Sequence, residues 1–359
     1  MTTPSPTDLQ ADPLGHRVLA KRLEAIPGHL RALVGEWGAR AGISSGPESF
    51  VVTGIGSSEA HARFLSWELN RAGEAAEFVP LAAFEGAGAL LPGTSGRTLV
   101  LFSQGLSRNV RLVLAARHHF RRVILFTAAT REGLGAAGHR DRARMLEELE
   151  AEGAEVVGFP LENEYEILIR VIGPACGFLA ARLWLESRSL SSAGATTAST
   201  ILESILSPTG FSLATFLTEH GSAASGGIRL LVPPGLAQCG QNLACKLVEG
   251  LFWAPPQILD VLSFAHGPFQ QLAARRAPVV ILRPVGGSVA ADQADRAEVM
   301  CRSLGLPTVA VPLRAPAGWE VLEAELRFNE ALLPLVISHA VDQRNWPGRG
   351  ADGPLYLYP

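Results

Sequence analysis

VVTGIGSSE, residues 51–59, reads as a short buried strand that breaks into a glycine turn and delivers two adjacent serines to the start of a helix. A second apolar strand, TLVLF at 98–102, ends in SQGLSRN at 103–109 and again runs into a helix. Two hydroxyl-rich turns at the carboxyl ends of two strands are what a phosphate crevice in an open α/β sheet requires. Backbone N–H groups at a helix start and side-chain hydroxyls together replace the hydration shell of the dianion. Working outward from these turns, strands are predicted at 50–54, 76–80, 98–102, 122–127 and 154–159, and helices at 58–73, 107–119, 140–152 and 165–187. Such alternation specifies a parallel, doubly wound sheet.

The flanks extend the pattern. Residues 14–38 carry apolar positions at helical spacing, from Leu14 to Val34, and Pro27 is expected to divide them into two helices. SRSLSSAGATTAST at 187–200 is small and polar apart from Arg188 and Leu190 and reads as a linker. A second alternation follows: helices at 199–206, 209–220 and 241–253, strands at 229–233, 277–284 and 307–313, and a long helix at 320–340. The expected division is an N-terminal helical arm (1–44), a first α/β domain (45–190), a second α/β domain (191–342) and a tail (343–359), two three-layer αβα halves in tandem.

The 359 residues suffice for two cores, with 47% hydrophobic and 18% charged residues. A net charge of −3 leaves no electrostatic footprint for nucleic acid or an anionic membrane. Lysine occurs only at Lys21 and Lys246, so chemistry that needs an amine has few candidates. Cys176, Cys239, Cys245 and Cys301 form no CxxC or Cys/His spacing, so neither a zinc site nor a disulfide framework is expected, and the pattern fits buried thiols in a reducing compartment. With a polar N-terminus and no long apolar run, a cytoplasmic protein without a membrane span is expected. No metal and no cofactor is expected.

Ser57, Ser58, Ser103, Gln104 and Ser107 are the candidate phosphate ligands. The same serines would serve equally as helix caps and turn residues, which use the same geometry. Arg108 adjoins the loop, and a GxxxxGK[ST] element, the mark of a nucleoside triphosphate site, is absent. In the second half, Lys246 and Glu249 lie three residues apart on a predicted helix, hence on one face. They read either as an exposed intrahelical ion pair or, because the helix is otherwise apolar, as a buried carboxylate with raised basicity. His266, before Gly267-Pro268, suits acid–base work near neutrality. Glu164 and Arg170 are weaker pocket candidates, His118 and His119 read as surface residues, and His339 fits either place.

These motifs resemble the tandem sugar-isomerase (SIS) family, in particular the isomerase half of glutamine–fructose-6-phosphate amidotransferase and the fructosamine-phosphate deglycases. RLEAIPGHLRAL (22–33) is similar to the family's proline-containing entry helix, GIGSS (54–58) to its first glycine–hydroxyl turn, and SQGLS (103–107) to its phosphate loop. CKLVEGLF (245–252) with FAHGPF (264–269) resembles the second-domain helix and His-Gly-Pro loop, and DGPLYL (352–357) the tail spacing. The resemblance spans roughly residues 14–359. It implies two SIS-type domains, a homodimer, and a sugar phosphate or amino-sugar phosphate as the small-molecule ligand. The implied chemistry is aldose–ketose isomerisation or C–N cleavage at C1/C2, with Glu249 as base, His266 opening the ring and Lys246 supporting an enolate. It also implies a pocket completed across the dimer, with His266 serving the neighbour's site. The chain is read as departing from the pattern in three places: SQGLS is one residue short and lacks the middle hydroxyl, no counterpart of the lysine beyond the tail leucine is expected, and with Thr2 after Met1 no glutaminase nucleophile is expected. Those departures are also compatible with a non-catalytic, sugar-phosphate-binding regulatory protein, or with an enzyme that holds a non-sugar anion.

Overall fold

In the computed structural model the described residues are 12–37, 48–84, 94–159, 166–188, 194–351 and 353–356. Strands β1 (Ser49–Thr53), β2 (Ala75–Phe78), β3 (Thr98–Phe102), β4 (Arg122–Thr127) and β5 (Glu155–Gly158) form one sheet. β6 (Arg229–Val232), β7 (Gln257–Asp260), β8 (Val279–Arg283) and β9 (Thr308–Pro312) form a second. Every pairing is parallel. The orders are β2-β1-β3-β4-β5 and β7-β6-β8-β9. In each sheet the chain begins inside, steps to one edge and then crosses back to run outward. The direction therefore reverses between β1 and β3, and again between β6 and β8, which opens a crevice at the strands' carboxyl ends.

The helices are α1 (His16–Trp37), α2 (Ser57–Arg71), α3 (Val110–Ala115), α4 (Arg131–Ala136), α5 (Arg140–Ala151), α6 (Ile172–Arg188) and α7 (Gly194–Leu206) in the first part. The rest are α8 (Leu213–Glu219), α9 (Gly221–Ala224), α10 (Pro234–Ala237), α11 (Gly240–Leu251), α12 (Val261–Ala265), α13 (Pro268–Arg275), α14 (Val289–Ser303) and α15 (Glu320–Ser338). Strand alternation sorts the side chains. Phe50, Val52, Val100 and Phe102 of the first sheet and Leu230, Val232, Val280 and Leu282 of the second enter one shared core with α1, α6, α11 and α15. Val51, Leu99 and Leu101 face a separate cluster under α3 and α5. Leu231, Val279 and Ile281 face another under α12, α13 and α14. Among the described residues no helix is long and apolar enough to cross a membrane.

Several sequence expectations need correction. α1 is a single helix that carries Pro27 within it. An interior proline costs about 3 kcal/mol, but Leu19, Ile26, Leu30, Leu33 and Val34 bury one continuous face against α6, α7 and α15, and each such side chain contributes about 1.5–3 kcal/mol. The helix expected from 165 starts at Ile172. Before it, Ile167, Ile169 and Val171 are buried in an irregular segment tied to the far end of the chain, where Leu168 N–H donates to the Gln343 carbonyl at 2.9 Å and Ile169 N–H to Gln343 Oε1 at 3.1 Å. The linker expected at 187–200 is helical at both ends, in α6 and α7, and 189–193 lie outside the described residues. Helix 107–119 shortens to α3 and a 3-10 turn at Arg117–His119. β7 and α12 to α14 have no counterpart among the elements expected from sequence.

Candidate functional site

The register between β1 and β3 pairs Val52 with Val100 and Thr53 with Leu101, so the turns leaving these strands sit side by side. Gly54 is obligatory: a Cβ there would lie 2.3 Å from the Ser58 carbonyl oxygen. Gly56 has φ of +64°, a region that favours glycine. It is the N-cap of α2 and offers no side-chain cap. Ser58 and Ser103 are buried, while Ser57, Gln104 and Ser107 are half-buried. The phosphate-loop backbone is pinned to β4: Ser103 N–H donates to the Phe126 carbonyl at 2.9 Å, and Ala128 N–H donates to the Gln104 carbonyl at 3.0 Å. Leu106 anchors the loop in the core beneath at φ +48°.

The capping reading of these serines fails on geometry. Where this chain caps helices with side chains it does so visibly, through Thr130, Ser212, Asp260 and Ser288. The hydroxyls of Ser57, Ser58, Ser103 and Ser107 make no hydrogen bond among the described residues, and neither α2 nor α3 has a side-chain cap. Two further groups, which sequence reasoning missed, join them. Thr53 Oγ1, at the end of β1, and Asn109 Oδ1, at the end of the loop, are buried without a partner among the described residues. A cluster of unspent polar groups at a strand crossover is suited to an anion. Arg108 instead points its charge at Asp141 of α5, at 3.9 Å.

Gln104 packs so tightly on the start of α6 that a Cβ on Gly173 would lie 2.3 Å from its Oε1. One residue on, the Pro174 carbonyl meets Nε2 of His61 at 2.9 Å. His61 is a buried α2 residue that sequence reasoning passed over, set edge-on to Phe178 at 4.5 Å. The only signal was its position one turn beyond the serines. Burial first, and the Lys246 charge in addition, lower its pKa to about 4 while the Pro174 hydrogen bond pulls the other way. The sign follows. The unfolded imidazole takes a proton below its ordinary value near 6.5, which the folded one refuses until about pH 4. Stability therefore falls as pH drops through that window, by about 3 kcal/mol in all from this group. Urea midpoints measured between pH 7 and 4 should show this slope, and His61→Gln should flatten it. Equal slopes in the two proteins would show that His61 accepts its proton without cost.

Lys246 is buried and already engaged. Its Nζ lies 2.6 Å from Glu325 Oε1 and donates to the Arg170 carbonyl at 2.7 Å. The exposed intrahelical pair with Glu249 is thus not formed. Glu249 is half-buried, and its carboxylate has no hydrogen bond or ion pair among the described residues. Burial raises its pKa, against the opposing pull of Lys246 and Arg170. α11 packs on α2, and the Cys245 thiol, raised mainly by burial, feels both the Glu249 and the Glu59 carboxylates. Glu249 stands one turn after Cys245 on this helix, which packs on the helix that begins with the two serines.

His266 does not join this group within one chain. It is exposed at the end of α12, whose Phe264 packs with Leu231, whereas Leu243 and Leu247 of α11 pack with Leu230 and Val232 on the opposite face of the second sheet. Arg170 borders the site and uses Nη1 on the carbonyls of Ile167 and Leu168. His118 and His119 are exposed, as is His339 beside Trp253. Glu164 and the Asp352 and Leu357 of the tail lie outside the described residues. Among the described residues no group of three or more His, Cys, Asp or Glu is placed to hold a metal ion.

The sequence matches no family model and no curated protein. The likeness lies in the fold. The C-terminal domain of glucosamine–fructose-6-phosphate aminotransferase from Francisella tularensis superposes with a TM-score of 0.68 at 12% identity, over 90% of this chain and 97% of that one. Glucosamine-6-phosphate deaminase from Thermotoga maritima gives 0.66 at 14%, over 92% and 97%. Tagatose-6-phosphate ketose/aldose isomerase from Escherichia coli gives 0.62 at 13%, over 91% and 95%. At such identities the shared property is architecture: this chain has the α/β, parallel-sheet fold of phosphosugar-isomerase-type structures along nearly its whole length.

Proposed function

We propose that the protein is a sugar-phosphate or amino-sugar-phosphate isomerase or deaminase, built from two SIS-type domains at 45–190 and 191–342 with a helical arm before and a tail after them. The observation that carries this reading is the set of unspent hydroxyls over the uncapped start of α2, beside a helix that presents a half-buried carboxylate with no partner among the described residues. The phosphate sits on Ser57, Ser58, Ser103, Gln104 and Ser107. Its C1/C2 end reaches Glu249, which moves a proton between the two carbons. Lys246 stiffens the site through the Arg170 carbonyl. His266, on the far face of the second sheet, serves the site of a second copy in a homodimer. Four free cysteines fit a reducing, cytoplasmic setting. No nucleic acid, membrane or cofactor enters the reading.

The test is ligand protection. A bound sugar phosphate at a hundred times its Kd stabilises a protein by about 2.7 kcal/mol, and Ser58→Ala/Ser103→Ala should abolish the thermal shift given by fructose 6-phosphate or glucosamine 6-phosphate while leaving the unliganded melting temperature nearly unchanged. Equal protection of both proteins would move the anion site elsewhere. The separation of His266 from Glu249 within one chain favours a second reading, a sugar-phosphate-binding regulatory protein. Exchange of the C1/C2 proton in deuterated water supports the enzyme, and binding without exchange supports the regulator.

A further inference from the structure

Lys246 and Glu249 share a helix face one turn apart, the spacing at which ammonium and carboxylate ordinarily pair. Here they do not, because another carboxylate has taken the ammonium. Glu325 is fully buried on α15, with one oxygen 2.6 Å from Lys246 Nζ and the other accepting from Asn242 Nδ2 at 2.6 Å. Asn329 Nδ2 adds a longer contact at 3.4 Å. The backbone around Glu249 is clamped independently: Gln343 Nε2 donates to the carbonyls of Glu249 and Gly250, each at 3.0 Å, and Gln343 Oε1 receives Ile169 N–H. Helix α11 and the Arg170 segment are thus fixed relative to each other, and the direction of the Lys246 charge is set by Glu325.

We propose that Glu325 is a positioning residue of this site: it binds the Lys246 ammonium and withholds it from Glu249, whose carboxylate is left as the uncommitted base of the crevice. The inference rests on the reading of Glu249 as a base. The charges that act on Glu249 are Lys246 on its own helix and Arg170 on the segment before α6, while Cys245, one turn earlier, feels both Glu249 and Glu59 of α2. Of the two cations, Arg170 has Nη1 engaged with backbone carbonyls, so Lys246 is the one whose allegiance a single change can redirect.

The experiment is a carbon-13 titration of glutamate side-chain carboxyls in the intact protein, with the Glu249 resonance assigned by its loss in Glu249→Gln. In wild type its midpoint should lie above the ordinary carboxylate range, in line with its burial. In Glu325→Gln the released ammonium turns to Glu249, and the midpoint should fall by at least about one pH unit, the usual scale for an adjacent opposite charge. If Glu325→Gln does not fold, Glu325→Asp keeps the charge but draws it back by one methylene and should give a smaller fall in the same direction. An unchanged Glu249 midpoint in the folded variants would make Glu325 a purely structural group and overturn the proposal. The titration needs no substrate, so it separates failure of this inference from failure of the proposed reaction, which would appear as a wild-type protein with no proton-exchange activity.

Discussion

Glu249→Gln lowers turnover at least about 100-fold with substrate affinity little changed, the scale expected when a general base is lost and shape is kept. Glu249 is the carboxylate of α11, a helix that packs on α2, burial raises its proton affinity, and its carboxylate has no hydrogen bond or ion pair among the described residues. Glutamine retains its size and hydrogen-bonding reach but cannot take the C1/C2 proton. His266→Asn should impair cyclic sugars more than substrates already in open-chain form, because ring opening alone is lost. If His266 serves a neighbouring copy, mixing the two variants restores activity on cyclic sugars, since some mixed dimers hold one intact site. Full activity of Glu249→Gln on an identified substrate would remove the mechanism, and failure of the mixture would remove the shared site.

The central strands of the first sheet were legible because they are short runs of large apolar side chains buried on both faces, as Phe50–Thr53 and Thr98–Phe102 are. β7 was not, because Gln257-Ile258-Leu259-Asp260 lies at an edge and is only partly buried, so its hydrophobic signal is weak. α14 hid for another reason: its buried face is small, with Ala291, Ala294, Ala297 and Cys301, and gives little contrast with the solvent face. Pro27 misled in the opposite direction, since a local rule was overridden by packing along α1. The hydroxyl turns of the site could be read directly, because glycine and serine at strand ends are local chemistry. Their freedom from capping could not, and neither could His61, whose role depends on the Pro174 carbonyl of a distant helix. Lys246 was visible as an unusual amine in an apolar helix, but its partner stands on α15 and no spacing rule links the two.

That partnership sets the largest stability effect expected here. Lys246→Met removes the ammonium and leaves Glu325 fully buried beside the side-chain amides of Asn242 and Asn329 but without the cation that balances its charge. Stranding one member of a buried ion pair costs about 3–5 kcal/mol, far more than the pair contributes relative to an apolar replacement of both residues. The urea midpoint of Lys246→Met should therefore fall sharply at an unchanged slope. Lys246→Met/Glu325→Leu should recover most of the loss, because neither side chain then brings a charge into the core. The pH dependence of the single variant follows from the same logic. A stranded carboxylate holds its proton more tightly in the folded than in the unfolded state, so the penalty is absent below the ordinary carboxylate range and grows as pH rises through it. A single variant as unstable at pH 3.5 as at pH 8, relative to wild type, would show that lost packing of the lysine stem is the cause. Recovery confined to the double variant and to low pH would establish that the buried charge, and not the shape of the side chain, is what α15 holds for α11.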